Sequence, residues 1–192
     1  MEEREKRQIR CSMSSFKTRS EDNGELYISG YFSVFNSNYE IFPGATESIA
    51  KTAFDETLNE DIRALINHNN RLVLGRTKAG TLTLKVDEKG LWGEIKINQK
   101  DQDAINLYER VKRGDVDQCS FGFEILEEEF EDRGDTVHWT IKKVRLYEVS
   151  VVTFPAYEDT SVTARNKQFE EIKKKKADCF RNKMMSVLKG EK

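Results

Sequence analysis

Hydrophobic and polar positions along the chain alternate with a period of two in most places and with a helical period in a few. Leu26 to Phe35 is rich in aromatic and branched residues around a central Gly30, which predicts a bent strand. Asn36 to Gly44 reads as a loop closed by Pro43-Gly44. From Thr46 to Leu58 the apolar positions Ile49, Ala50, Ala53, Phe54, Thr57 and Leu58 fall at helical spacing, so an amphipathic helix capped by Thr46 or Ser48 is expected. Asp61 to His68 alternates again: Ile62, Ala64, Ile66 and His68 share one face of a strand that ends at the histidine, with a loop over Asn69 to Arg76. Thr81 to Val86 and Leu91 to Ile97, joined by Asp87-Glu88-Lys89-Gly90, form a hairpin. Asp101 caps a helix to Arg113, whose buried stripe is Ala104, Ile105, Leu107, Tyr108 and Val111 and whose C′ residue is Gly114. A second hairpin follows, with a strand from Asp117 through Glu131, a turn over Asp132 to Asp135, and a long strand from Thr136 to Thr153 that Pro155 ends.

The two ends of the chain differ from this middle. Residues 1–22 are polar, mixed in charge and aperiodic, which predicts a frayed terminus or an added edge strand. After Ala164 a broken stripe of Phe169, Ile172, Ala177, Phe180, Met184, Val187 and Leu188 accompanies a four-lysine run, Lys173 to Lys176, as in a basic helix. The expected organisation is therefore a flexible segment over 1–24, one domain over 25–165 and a basic helical tail over 166–192. The fold class is α+β, a mainly antiparallel sheet closed into a small barrel with helices packed outside.

Composition narrows the setting. The 192 residues are 34% charged and 37% hydrophobic, enough for a single substantial core under a well-solvated surface. No run approaches the ~20 apolar residues of a membrane span, and Met1 to Arg10 is too charged for a signal peptide, so a cytosolic protein is expected. Cys11, Cys119 and Cys179 are odd in number and scattered, which predicts reduced thiols with neither a disulfide framework nor a metal site, and no cofactor. The net charge of −2 conceals an asymmetry: residues 165–192 hold ten Lys/Arg against four Asp/Glu, leaving −8 on residues 1–164. Such a tail suits an acidic protein surface, nucleic acid or plain solvation.

Few residues are equipped for chemistry. Asp117-Gln-Cys-Ser-Phe-Gly-Phe123 sets a small polar residue between aromatics and beside a glycine, as in a strand whose backbone passes close to a ligand; a merely packed strand has the same look. Of two histidines, His138 lies just past a hairpin turn, where exposure and structural neutrality are expected. His68 ends an apolar strand face between Asn67 and Asn69, whose amides are suited to fixing its tautomer. Glu148 shares a strand face with Val144, Leu146 and Val152, so its carboxylate needs a partner: an imidazolium, or Arg63 or Arg145 in a purely structural ion pair. Ser120, His68 and Glu148 together offer the nucleophile, base and orienting carboxylate of hydroxyl-based acyl transfer. Cys119 is the rival nucleophile, but neighbours on a strand face opposite ways, and Gly122 on the side of Ser120 leaves space for a substrate backbone.

Taken in order, Gly30-Tyr31-Phe32-Ser33-Val34-Phe35-Asn36, Pro43-Gly44, Leu65-Ile66-Asn67-His68-Asn69 with Leu74-Gly75-Arg76, Ser120-Phe121-Gly122-Phe123, and Leu146 through Ala156 resemble the prohead maturation proteases of tailed bacteriophages, related in fold to the herpesvirus assembly proteases. The resemblance spans about Leu26 to Arg165. It implies a serine endopeptidase that trims scaffolding or capsid-protein propeptides inside an immature capsid, in the host cytoplasm, and cleaves itself. Ser120 would be its nucleophile, His68 the general base and Glu148 the carboxylate orienting His68. It further implies oxyanion donors near Ala156 and Tyr157, scaffolding and major capsid proteins as substrates, and self-association into a dimer or larger assembly. The basic tail would then be an accessory or propeptide segment. A barrel that only binds scaffold or capsid, its Ser120 merely packed, is the alternative, and a nucleic-acid-binding tail is a third reading. If neutral His68 is the base, activity is expected to fall below about pH 6, since an unperturbed imidazole titrates near ~6.5.

Overall fold

The long strand that ends at Val152 is the spine of the molecule. The computed structural model describes residues 7–13, 16–154, 165–167, 169–174, 176–178 and 181. Its strands are β1 (Gln8–Met13), β2 (Lys17–Ser20), β3 (Leu26–Val34), β4 (Tyr39–Phe42), β5 (Ala45–Ile49), β6 (Arg63–Ile66), β7 (Asn69–Arg76), β8 (Leu82–Val86), β9 (Gly90–Ile97), β10 (Gln118–Asp132) and β11 (Val137–Val152). The helix α1 (Gln102–Arg113) lies between β9 and β10, and helical residues reappear within 165–181.

These strands form two sheets and no closed barrel, which corrects the expected architecture. One sheet runs β1-β10-β11-β5-β4, with β6 also pairing β11 and β7 pairing β6; the other runs β2-β3-β9-β8. β5 and β6 both enter parallel to β11, in tandem along one edge: Val137 to Ile141 pair with β5, and Glu148 to Val151 with β6. The outer strands of the two sheets are not joined to each other. Between the sheets lies one core, in which Ile28, Phe32, Phe54, Ile95, Phe121, Phe123 and Leu146 are buried.

The stretch read as a helix from Thr46 to Leu58 is instead β5 followed by a chain of tight turns. Pairing with β11 claims Thr46 to Ile49, and Glu47, Ser48 and Ile49 are buried there as strand residues. The helical spacing of Ala53, Phe54 and Thr57 is real, and all three are buried. It is carried by successive three-residue turns, with Ala53 N donating to Ala50 O, Asp55 N to Thr52 O and Thr57 N to Phe54 O. This segment stitches the part of the β11 edge that neither parallel strand covers: Val144 N donates to Ala53 O at 3.0 Å and Leu146 N to Thr57 Oγ1 at 2.8 Å.

Asn36 to Gly44, read as a loop, contains the short strand β4, which pairs with β5, and residues 69–76 form β7; the remaining alternation and capping signals hold. Asp101 caps α1 through its carboxylate, which accepts from Asp103 N and Ala104 N, and Gly114 closes the helix at φ 86°. The two long hairpins, β8–β9 and β10–β11, form as expected. Of the two alternatives for the N-terminal residues, the edge strand is the one present, as β1 and β2. Phe169 packs with Ala45, Val137 and Trp139 in a second, small cluster, fixing the described helical residues to the β5 end of the sheet.

Gly90 begins β9 where a Cβ would stand 2.0 Å from the Ser33 carbonyl oxygen. Gly90→Ala must push two paired backbones apart, and a stability loss of at least about 1–3 kcal/mol is expected from this overpacking, read as a lower urea midpoint with the slope unchanged.

Candidate active site

Glu148 is 2% exposed, and its two oxygens gather His68, Ser150 and Arg7. One side of the carboxylate faces the β6–β7 hairpin, whose connection is only Asn67 and His68, with Ile66 paired to Asn69. Both turn residues have positive φ, 48° and 57°, the mirror-image turn that matches strand twist. His68 is therefore not the last residue of a strand face, and residues 69–76 are a strand rather than a loop. The turn is pinned to the end of β11: Asn67 N donates to Val151 O at 3.0 Å, and Thr153 N donates to Asn67 Oδ1 at 2.8 Å. The result is a left-handed histidine whose ring swings over the sheet.

That ring meets Glu148. His68 Nδ1–H donates to Glu148 Oε1 at 2.7 Å, an assignment required by an ionised carboxylate that can only accept. Ser150, two residues along β11, donates its hydroxyl to Glu148 Oε2 at 2.6 Å and accepts from His68 N at 3.3 Å. Arg7, just before β1, donates to Glu148 Oε1 at 2.6 Å. Arg63 and Arg145, the cations considered from sequence, go elsewhere: Arg63 pairs with Asp61 and Arg145 with Glu124.

Ser120 lies beside these groups. On β10 its Cα partners are Ser150 on β11 and Cys11 on β1, so the three side chains form one row on one face of the sheet. Ser120 is wholly buried, and its hydroxyl donates to Arg10 O at 3.0 Å. His68 Nε2, the nitrogen expected to receive a hydroxyl proton, is buried with no nitrogen or oxygen partner among the described residues, and Cys11 is beside the ring. Cys119 faces the other way, its thiol near Tyr31 O and Phe32 O, as strand alternation requires. The space expected at Gly122 for a substrate backbone is filled: a Cβ there would meet Glu148 Oε1 at 2.4 Å and the Arg7 guanidinium at 2.7 Å.

His138, expected to be exposed, is buried and held by Thr46 Oγ1 at 2.7 Å and Ser48 Oγ at 2.9 Å, away from Glu148. Burial lowers its pKa, so it stays neutral in a structural role. Ala156 and Tyr157 lie outside the described residues. Sequence reasoning missed Arg7, Cys11 and Ser150. Ser150 had a signal, since it lies two residues from a buried carboxylate on the same strand face. Arg7 and Cys11 had none, because the register of β1 on β10 is fixed only in three dimensions.

Electrostatically the site is a coupled pair. Burial disfavours a charged His68, but Cys11 and then Glu148 beside the ring outweigh it and raise its pKa to about 9. Burial likewise works against ionised Glu148, yet the hydrogen bond and charge of His68, with help from Ser150 and Arg7, hold its pKa below the usual value. With its pKa raised to about 9, the ring is held mainly as an imidazolium at neutral pH.

In fold, the chain is similar to a viral assembly protease: the bacteriophage T4 capsid assembly protease superposes with a TM-score of 0.54 over 78% of this chain and 98% of that one, at 11% sequence identity. The sequence is more specific. It is 33% identical over 97 residues to the prohead protease of Escherichia phage T5, covering 50% of this chain and 42% of that relative, so the match spans less than half of the relative's length. The chain belongs to the caudovirus prohead serine protease family, whose model matches residues 14–175.

A raised histidine pKa stabilises the fold fully below the unfolded value of ~6.5, and that contribution disappears as pH rises through about 9. A lowered carboxylate pKa acts oppositely, its contribution vanishing as pH falls below the ordinary 4.5. The urea midpoint is therefore expected to be highest between about pH 4.5 and 6.5 and to decline toward pH 9. In His68→Gln the alkaline decline should be much reduced; a decline of equal size in both proteins would place its origin elsewhere.

Proposed function

We propose that this protein is the serine endopeptidase of phage prohead assembly, cutting scaffolding or capsid-protein propeptide segments, and itself, inside the immature capsid in the host cytoplasm. The observation that carries this reading is the 2.7 Å bond between His68 Nδ1 and Glu148 Oε1 on the sheet face that bears Ser120. In this scheme His68 Nε2 takes the proton of Ser120 Oγ as the hydroxyl attacks the scissile carbonyl carbon. The same nitrogen then returns the proton to the leaving amine. Glu148 stays ionised, fixes the tautomer and stabilises the imidazolium, while Ser150 holds its second oxygen in place. Main-chain N–H groups at Ala156 and Tyr157 are the proposed oxyanion donors. The basic C-terminal residues are assigned to docking on scaffold or capsid protein, and self-association is part of the same proposal.

A second reading, a non-catalytic capsid-binding module, is favoured by the complete burial of Ser120 and its bond to the Arg10 carbonyl. Ser120→Ala separates the two when co-expressed with the cognate capsid protein. Loss of a buried hydroxyl bond costs about 1 kcal/mol, so folding persists, whereas proteolysis falls on the order of 10³-fold or more. Cleavage that continues in Ser120→Ala would favour the module.

The pH profile is also revised. With His68 charged at neutral pH, peptidase activity in this arrangement is expected to climb from pH 7 toward pH 9 rather than reach its plateau just above pH 6. A rate constant measured across that range checks it.

A further inference from the structure

The edge that β10 would otherwise present over Gln118 to Phe123 is taken by β1, whose contacts include the proposed catalytic groups. Six residues pair antiparallel, Gln8 with Phe123 through Met13 with Gln118, placing Cys11 directly beside Ser120 and Ile9 beside Gly122. The Arg10 carbonyl accepts the Ser120 hydroxyl bond, so the nucleophile is spent on backbone of β1. On the same face Arg7 lies across Gly122 and pairs with the Glu148 oxygen that also holds His68. On the opposite face Arg10 is 8% exposed and locks the strand down, donating to both oxygens of the buried Glu47 at 2.5 and 2.9 Å. The family match begins at residue 14, so β1 precedes the part of the chain that the family shares.

We infer that the edge of β10 from Gln118 to Phe123 is a site for an extended peptide, which adds to the sheet as an antiparallel strand, and that residues 7–13 occupy it in cis. This rests on the proposed peptidase reading and extends it to where the substrate lies. Main-chain hydrogen bonds to a strand edge bind any extended segment, while alternate side chains set selectivity. On the Ser120 face lie Arg7, just before β1, and Ile9 and Cys11 within it. A competing peptide therefore needs a small or apolar residue beside Ser120 and gains from a cation placed against Glu148. A polypeptide seated this way has a carbonyl within hydrogen-bond reach of the Ser120 hydroxyl, as Arg10 does now, and no second peptide fits until β1 leaves.

The test uses the full chain and a fluorophosphonate probe, which reports the reactivity of Ser120 without a known substrate. Ile9→Pro deletes one backbone N–H from β1 and changes no residue of β10 or of the site. Labelling of Ile9→Pro is expected to be at least tenfold faster than wild type, and a synthetic peptide with the sequence of residues 7–13 should slow it again in proportion to its concentration. Should Ile9→Pro lose its cooperative thermal transition, the double substitution Met13→Cys with Gln118→Cys decides, since those residues are cross-strand partners. Its oxidised form should label at least tenfold more slowly than the same protein after reduction. Equal rates in both redox states, or a folded Ile9→Pro that labels at the wild-type rate, overturn the inference while leaving the peptidase reading intact. Labelling that survives in Ser120→Ala overturns both.

Discussion

A carboxylate with almost no exposure to water must be matched by donors or lose its charge, and Glu148 is matched three times over. Removing one partner from a buried ion pair costs about 3–5 kcal/mol, because the remaining charge stays buried. Within this fold His68, Ser150 and Arg7 share that burden. Each comes from a different place: a two-residue turn, the same strand, and the segment ahead of β1. The turn at Asn67-His68, the glycine at 122 and the segment ahead of β1 thus all converge on one charge.

β11 turns that local requirement into architecture. Along one edge it pairs with β10 for most of its length, and along the other it receives β5 near Val137 and β6 near Glu148, with the turns of residues 50–60 closing the gap. Serine and carboxylate therefore rest on neighbouring strands of one sheet, and the histidine on a two-residue turn pinned to the end of β11. Their relative positions are set by ladder register, which a paired strand holds firmly when its other face is core.

Much of this was legible from residue pattern. The hairpins, the capped helix, the opposite facing of Cys119 and Ser120 and the anomaly of a carboxylate on an apolar strand face all follow from period-two alternation and cap chemistry. The Thr46 to Leu58 helix failed because parallel pairing with β11 claimed its first half, a long-range event invisible in a local window. His68 was sought on a strand face for the same kind of reason: Asn-His lacks the glycine that usually announces a two-residue hairpin turn, and tertiary clamping by Val151 and Thr153 imposes it instead. The closed barrel failed because the strands divide into two sheets whose outer strands do not pair, which no local pattern shows. Arg7 and Cys11 could not be anticipated at all, since they sit in residues whose composition is that of an unstructured terminus.

Because β1 belongs to the chain whose edge it covers, any rival strand competes against a tethered ligand. Short tethers give effective concentrations in the millimolar range, and the anchor of Arg10 on Glu47 adds affinity to proximity. A peptide free in dilute solution loses that contest by mass action. One confined at comparable local concentration does not, so under the inferred peptide site the departure of a six-residue strand would depend on how concentrated its rivals are held.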